Sequence, residues 1–278
     1  MSDASDLRGN TDGQAHIDRR NSEFWNELCG TSLARSLGVT DFSAASLEKF
    51  DRYYLRLYPY LSRYLRCEEL RGKRVLEIGL GYGTVSQMIA ASGAHYAGLD
   101  IAAGPVDLVN LRLAMRGLAG KAQPGNVLEA PFADGSFDAV ITIGCLHHTG
   151  NLQRALDEVH RVLRPGGRAL VMVYNAFSYR RWFRWPRATL RRFRNEGRAG
   201  PASAEERAAY DAGAMGAAPE TVFTSRTELR RMCARYANCA IRKENAAREG
   251  PFFFVPRRLL LAMIGPVMGL DLYAVLEK

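Results

Sequence analysis

Residues 74 to 84 read Arg74-Val75-Leu76-Glu77-Ile78-Gly79-Leu80-Gly81-Tyr82-Gly83-Thr84. Val75, Leu76 and Ile78 form the short apolar run expected of a strand buried in a parallel sheet, and three alternate glycines end it abruptly. Glycine adopts backbone angles that other residues avoid and lets a ligand approach the main chain closely. Thr84 can start a helix whose first amides face the same space. The stretch therefore predicts a strand, a ligand-binding turn and a helix in immediate succession.

The spacing is Glu-x-Gly-x-Gly-x-Gly. In a dinucleotide site the third glycine comes one residue later, where it packs the helix that receives a pyrophosphate. Glu77, just ahead of the loop, is poorly placed for a polyanion and well placed for a ligand carrying an ammonium group. The loop alone favours an S-adenosylmethionine site over a dinucleotide site, with a plain structural turn as a third reading.

The 278 residues and 47% hydrophobic content suit one α/β domain carrying insertions. Cys29, Cys67, Cys145, Cys233 and Cys239 lack metal-ligand spacing, so no metal site is expected. With no signal-peptide pattern and no apolar run long enough to span a membrane, the expected setting is reduced and cytoplasmic. The formal charge of +9 and pI near 9.5 raise the prospect of anionic partners, but charge speaks to association rather than to chemistry.

Residues 1–18 are polar without an apolar period and read as a disordered leader. Residues 19–70 read as a helical lid, with one short amphipathic helix over Arg20 to Leu28 and another over Ala44 to Leu57, which Pro59 interrupts. The second carries Tyr53, Tyr54 and Tyr58; either their tips reach water, or one of them faces a ligand. Beyond the glycine loop a helix to Ser92 precedes a strand from His95 to Asp100. An acidic tip about 20 residues past such a loop can accept both hydrogen bonds of a ribose diol; a helix cap is the structural alternative for Asp100. A helix at Val106 to Gly117, strands near Ala122 to Val127 and Ala139 to Ile143, a helix at Leu152 to Leu163 and a strand at Arg168 to Tyr174 follow. This alternation predicts a doubly wound parallel sheet.

Glu77-x-Gly79-x-Gly81-x-Gly83, Asp100, Pro131-Phe132 with Ser136-Phe137-Asp138, Leu146-His147-His148 and Leu163-Arg164-Pro165-Gly166-Gly167 stand in register. Together they resemble class I S-adenosylmethionine-dependent methyltransferases, most closely the subgroup of ubiquinone and menaquinone methyltransferases and many small-molecule enzymes. The resemblance spans about residues 71–175. It implies a Rossmann-like seven-stranded sheet with its last strand antiparallel, built from residues 71–278, and it assigns Ala240 to Glu244 and Leu270 to Leu276 to the remaining strands. S-adenosylmethionine would be the cofactor and S-adenosylhomocysteine the product. Glu77 and Gly79 would face the methionine part, Asp100 would take the ribose hydroxyls, Asn126 with Val127 would border the adenine, and Gly81, Gly83, Ile101, Ile143 and Gly144 would belong to the same cofactor site. The subgroup often has Asp where this chain has Asn126, which puts the usual carboxylate contact to the adenine amino group in doubt.

Methyl transfer from a sulfonium chiefly needs nucleophile, methyl carbon and sulfur held in line, a positional task that can supply roughly 7 to 11 kcal/mol. If the acceptor must lose a proton, His147 or His148 is the candidate base, with Tyr53 or Tyr58 facing the acceptor from the lid. Residues 175–224 form an insertion. Its first half, Tyr179 to Arg194, interleaves seven arginines with aromatic residues. Three readings of it stand open: a basic cap over the site, a peripheral contact with anionic membrane, and a nucleic-acid contact. The expected acceptor is a small molecule, anionic or amphiphilic. A nucleic-acid acceptor is disfavoured, because Gly144-Cys145-Leu146-His147 stands where RNA-modifying relatives carry Asn/Asp-Pro-Pro-aromatic. A non-catalytic cofactor-binding module is the remaining alternative, and oligomeric state stays open.

Overall fold

The apolar run at 75–78 becomes the strand next to the middle of a seven-stranded sheet. A computed structural model of the chain describes residues 3–28, 31–195, 201–214 and 216–278, with side chains from residue 13 onward; Cys29 lies outside them. The sheet contains β1 (Arg74–Ile78), β2 (His95–Asp100), β3 (Lys121–Pro124), β4 (Phe137–Ile143) and β5 (Leu163–Tyr174), all parallel, in the order β3-β2-β1-β4-β5. A two-stranded hairpin, β6 (Ala212–Gly213) and β7 (Gly216–Ala217), stands apart from it. β8 (Asn238–Glu244) and β9 (Asp271–Glu277) complete the sheet. β9 runs antiparallel between β5 and β8.

Period-two alternation assigns each strand residue to one of two cores. Leu76, Ile78, Val140, Val171 and Leu272 face α7 (Leu152–Val162) and α11 (Arg226–Met232), whose Leu156, Val159 and Leu229 are buried against them. Val75, Ile141, Leu170 and Tyr273 face α4 (Leu61–Leu65), α5 (Thr84–Ala91) and α6 (Ala103–Met115). Ser225 caps α11 as its sequence suggests, exchanging hydrogen bonds with Glu228 in a capping box. Thr84 does not act as a cap: Gly83 holds the cap position, and the Thr84 hydroxyl donates instead to Asp51 Oδ1 at 2.6 Å.

Two layers precede the sheet. Helix α1 (Asp3–Asn26) runs through the stretch read as a disordered leader. The composition misled because this helix docks through polar side chains rather than an apolar stripe: Gln14 Nε2 donates to the Thr149 carbonyl, Asn21 Nδ2 to the His148 carbonyl and Ser22 Oγ to the Ile101 carbonyl. Each of those carbonyls lies in a loop at the carboxyl edge of the sheet. Helices α2 (Ser32–Leu37) and α3 (Ala44–Leu57) pack through Ala34, Leu47 and Phe50 onto Tyr82 of the glycine loop and Leu108 of α6. The Phe50 and Tyr82 rings stack 3.8 Å apart.

The insertion after β5 folds as α8 (Tyr179–Arg184), α9 (Pro186–Arg194), α10 (Ala204–Ala208) and the β6–β7 hairpin. Between β8 and β9 lie α12 (Arg257–Met263) and α13 (Gly265–Met268).

Asp51 of α3 bolts the lid to the sheet. Its second carboxylate oxygen accepts from Arg112 Nη2 at 2.5 Å, and the Arg112 side chain is only 2% exposed. Replacing Asp51 by Ala leaves that guanidinium buried without a carboxylate, a loss expected to cost about 3 to 5 kcal/mol in urea unfolding. Arg112→Met combined with Asp51→Ala should recover part of it, and a double variant no more stable than Asp51→Ala would show that the stranded guanidinium carries no penalty.

Candidate active site

Loops leaving the carboxyl ends of β1, β2, β3 and β4 converge on a cavity of about 300 Å³. All ten residues expected to hold a cofactor line it: Glu77, Gly79, Gly81, Gly83, Asp100, Ile101, Asn126, Val127, Ile143 and Gly144. Two of the glycines differ in what a side chain would meet there. A Cβ on Gly79 would lie 2.3 Å from Cβ of Cys145, so the loops after β1 and β4 cross too closely for one. Gly81, at φ +48°, has nothing within 4 Å of its missing Cβ, so its bare backbone borders open space that a side chain would fill.

Asp100 holds this cradle in shape. Its Oδ2 accepts from the Leu80 amide at 2.8 Å and its Oδ1 from the Ala102 amide at 2.9 Å. Burial pushes its carboxyl up from the ordinary range, and the backbone amides oppose that rise. Each oxygen retains acceptor capacity toward the cavity, as binding of a diol requires. Glu77 is buried at the cavity wall and accepts from the Tyr96 hydroxyl at 2.8 Å. Burial raises its pKa to about 8, so the free protein holds a neutral acid there at pH 7. A ligand ammonium alongside would restore the carboxylate.

Asn126, the residue expected beside the adenine, lines the cavity, and both ends of its amide are engaged within the protein. Its Oδ1 caps the turn at Val127–Glu129 by accepting from the Leu128 amide, and its Nδ2 donates to Asp18 Oδ2 at 2.7 Å. Asp18 is oriented further by Gln14 Nε2 at 2.8 Å and itself lines the cavity. The carboxylate absent from position 126 thus arrives from α1. Sequence reasoning missed it because Asp18 sits in the segment read as a leader; its one signal is a helical spacing, Gln14, Asp18, Asn21 and Trp25, that places four residues on one face.

The four acceptor-side candidates separate. Tyr58 lines the cavity, and so does Tyr54; Tyr53 stands 40% exposed outside. Helical periodicity explains this, since Phe50, Tyr54 and Tyr58 follow one inward stripe and Tyr53 is turned about 100° from it. His148 lines the cavity, whereas His147 does not. The His147 ring is wedged between those of His148 and Tyr174, each 4.2 Å away, with both nitrogens unpartnered. Burial, with His148 adding to it, drives its pKa far below the ordinary value and keeps it neutral. His148 is fixed by a 2.6 Å contact from Nδ1 to the Glu220 carbonyl, and its Nε2 lies 3.4 Å from Asp211 Oδ2.

Asp211 was not anticipated, lying in an Ala- and Gly-rich stretch without a motif. Its Oδ2 accepts from the Tyr174 hydroxyl at 2.7 Å. Together with Trp25, Thr31, Leu33, Tyr58 and Tyr174 it also borders a second cavity of about 240 Å³, otherwise walled by residues such as Phe24, Leu57 and Tyr210. Ligand atoms of His147, His148 and Asp211 lie within 4.8 Å of one another, a grouping that could hold a metal ion and that residue spacing did not foreshadow.

The arginine-rich stretch is not the roof of the cavity, which corrects the capping expectation. Arg181 is buried against Glu206 at 2.6 Å, Arg180 pairs with Glu249 at 2.6 Å, and Arg192 pairs with Glu228 at 2.8 Å. Tyr210 and Asp211, from the later half of the insertion, reach the cavities instead.

Residues 76–171 match a methyltransferase domain family. A sterol 24-C-methyltransferase of Gibberella zeae is 31% identical over 160 residues, 56% of this chain and 41% of that protein. A demethylmenaquinone methyltransferase of Tropheryma whipplei is 34% identical over 105 residues, 37% of this chain and 43% of that one. The chain therefore spans less than half the length of these relatives. The solved structure of the PH0226 protein from Pyrococcus horikoshii shares the fold with a TM-score of 0.53, at 19% identity over 86% of this chain and 94% of that one. Taken with the sheet order and the glycine cradle, the match defines a methyltransferase domain of the class I type. S-adenosylmethionine is the cofactor to which that domain is built.

The Glu77 environment fixes a pH response. Its pKa is about 8 in the folded chain against 4.5 in the unfolded one, so the folded state binds the extra proton between those values. Stability present below about pH 4.5 is lost as pH rises toward 8. Melting of the free protein should fall over this window, and Glu77→Gln should flatten the fall without abolishing it, because Asp271, raised by burial to about 7, titrates in the same sense. An unchanged slope in the variant would mean that Glu77 is ionised in the free protein.

Proposed function

We propose that this chain transfers the methyl group of S-adenosylmethionine to an apolar or aromatic small molecule. The observation that carries the reading is the convergence of Asp100, the open backbone of Gly81 and the buried Glu77 on one cavity at the carboxyl edge of the sheet. When bound, the cofactor supplies an electrophilic methyl carbon on a cationic sulfur. The described residues lining the cavity include Asp18, Glu77, Asp100 and Asp211 and no Lys or Arg, which suits a ligand bearing ammonium and sulfonium charges. Asp100 accepts the ribose diol, and Asp18 accepts the adenine amino group that Asn126, already engaged as a cap, leaves free.

The adjoining cavity supports the acceptor assignment. Its aromatic walls and its carboxylates, Glu27 and Asp211, favour an apolar, neutral or cationic acceptor over the anionic one suggested by the net charge. The names of the similar proteins, a sterol and a demethylmenaquinone methyltransferase, point the same way. Tyr58 and Tyr174 stand between the two cavities and align the nucleophile while excluding water. Asp211, backed by His148, takes the acceptor's proton. The chain works in the cytoplasm on this reading.

Calorimetry tests the cofactor half. Asp100→Ala should weaken S-adenosylmethionine binding by about 2 to 4 kcal/mol, the loss of a charged bidentate acceptor. Asp18→Ala should weaken it less and should erase the preference for an adenine over a hypoxanthine base in the matched homocysteine nucleosides. Unchanged affinity in folded Asp100→Ala would overturn the cofactor assignment. An unchanged base preference in Asp18→Ala would overturn only the adenine contact.

Turnover with a panel of hydroxylated apolar acceptors and methyl-labelled cofactor tests the other half. Asp211→Asn should lower kcat by about 100-fold or more, the usual range for a lost general base, with cofactor affinity intact. Transfer confined to anionic acceptors would overturn the acceptor class.

A further inference from the structure

The segment between β8 and β9 has a core of its own and more apolar surface than that core uses. Leu260 is buried with Tyr179, Ala246 and Leu270, and Ile264 and Met268 pack partly against them. These residues, 260, 264 and 268, follow the inward i, i+4 stripe of α12 and α13. One position earlier a second apolar stripe, Leu259, Met263 and Val267, points outward, with exposures of 45%, 68% and 62%. A buried helix would need both stripes covered, and here one faces solvent.

The loop ahead of α12 extends this face. Phe253 is 55% and Phe254 88% exposed, and Phe183 of α8, whose ring lies 5.6 Å from Phe252, is 56% exposed. The flanking charge is mostly positive, the neighbouring carboxylate Glu249 being paired with Arg180 at 2.6 Å and with Arg184 at 3.4 Å. Residues 251–270 contain two arginines and no acidic residue. Arg258 is exposed on α12, Arg248 lays its guanidinium 5.4 Å from the centre of the Phe253 ring, and Arg184 is half exposed beside Phe183.

We propose that Phe183, Phe253, Phe254, Leu259, Met263 and Val267 form a face that seats on an anionic lipid surface, with Arg184, Arg248 and Arg258 at the headgroup level. Aromatic and aliphatic tips enter the acyl boundary while arginines interleaved with them keep their heads among phosphates, the arrangement that peripheral membrane helices use. Charge complementarity selects lipid over a second copy of this chain, because two such faces would oppose arginine to arginine. No helix among the described residues is long and apolar enough to cross a membrane, so the contact is superficial.

The face is wired to the cavities. Arg257, first residue of α12, donates to the Arg56 carbonyl at 3.1 Å and to the Leu57 carbonyl, and to the Ala246 carbonyl at 3.0 Å. Arg56 and Leu57 end α3, and the next residue, Tyr58, stands between the two cavities. Docking would therefore bring the acceptor side of the lid to the bilayer surface, where an apolar acceptor is stored. The docking proposal itself does not depend on the methyl-transfer reading.

Co-sedimentation of the full chain with vesicles tests it. Binding to phosphatidylcholine vesicles containing phosphatidylglycerol should exceed binding to phosphatidylcholine alone by about tenfold or more at low salt, and should fall as salt rises. Phe254→Ser combined with Met263→Ser should lower that binding by about tenfold while leaving the melting temperature and S-adenosylmethionine affinity unchanged, since neither residue is buried or near the cavity. Arg258→Ala should reduce the preference for anionic lipid. Three results would overturn the proposal: no binding to either vesicle, binding that the double serine variant retains in full, or a dimer in light scattering that this variant converts to monomer.

Discussion

The carboxylate of Asp100 holds the ligand edge of the sheet together. One oxygen anchors the glycine loop through the Leu80 amide and the other anchors the turn into α6 through the Ala102 amide. Both bonds lie in a buried site, where a lost acceptor would strand two amides and is therefore far more costly than on a surface. Asp100 also lines the cavity. The residue that shapes the loop is thus also the one placed to bind what the loop cradles, and the close crossing of Gly79 with Cys145 ties the loop after β4 to the same arrangement.

The side chains that close the cavity opposite that edge come from outside the region that the family match covers. Asp18, Asn21 and Trp25 come from α1, Phe50, Tyr54 and Tyr58 from α3, and Asp211 from the insertion. The parallel sheet presents loop backbone and a few short side chains, which suffice for a nucleotide-like ligand but leave the cavity open on its far side. Closing it takes helices that precede the first strand, held down by Asp51 against Arg112 and Thr84, and by polar side chains of α1 on loop carbonyls. Local polar bonds of this kind leave little trace in hydropathy.

That difference explains what was legible. The middle of the sheet could be read from the chain because β1, β2 and β4 are largely apolar runs ended by glycine or an acidic tip, and period alone decides their faces. The ten residues expected at the cofactor could be read as one group because they sit on the strand ends and loops that border a single cavity, so that motif spacing translates directly into position. His147 could not be separated from His148 in sequence: the two are adjacent in a turn, and only the packing of Tyr174 decides which ring is sealed off. Tyr53 failed for a simpler reason, since adjacent tyrosines on a helix cannot both face inward. Asp18 and Asp211 were invisible because each acts through a partner more than a hundred or about sixty residues away, Asn126 in one case and His148 in the other.

The arginine-rich stretch carries the same lesson about charge. Seven arginines within residues 179–195 suggested an electropositive cover for an anion. In the fold, Arg180 and Arg192 are consumed by Glu249 and Glu228 and act as rivets between the insertion and the rest of the domain, whereas Arg181, paired with Glu206 and lying 4.2 Å from the centre of the Phe223 ring, holds the insertion together internally. Guanidinium suits that task because its fixed fork can satisfy a carboxylate, a carbonyl and an aromatic face together. Arg192 does two of these, donating to both Glu228 and the Phe223 carbonyl. What net charge registered as a binding surface is therefore partly internal scaffolding, and the charged residues described on the cavity wall, Asp18, Glu77, Asp100 and Asp211, are all acidic.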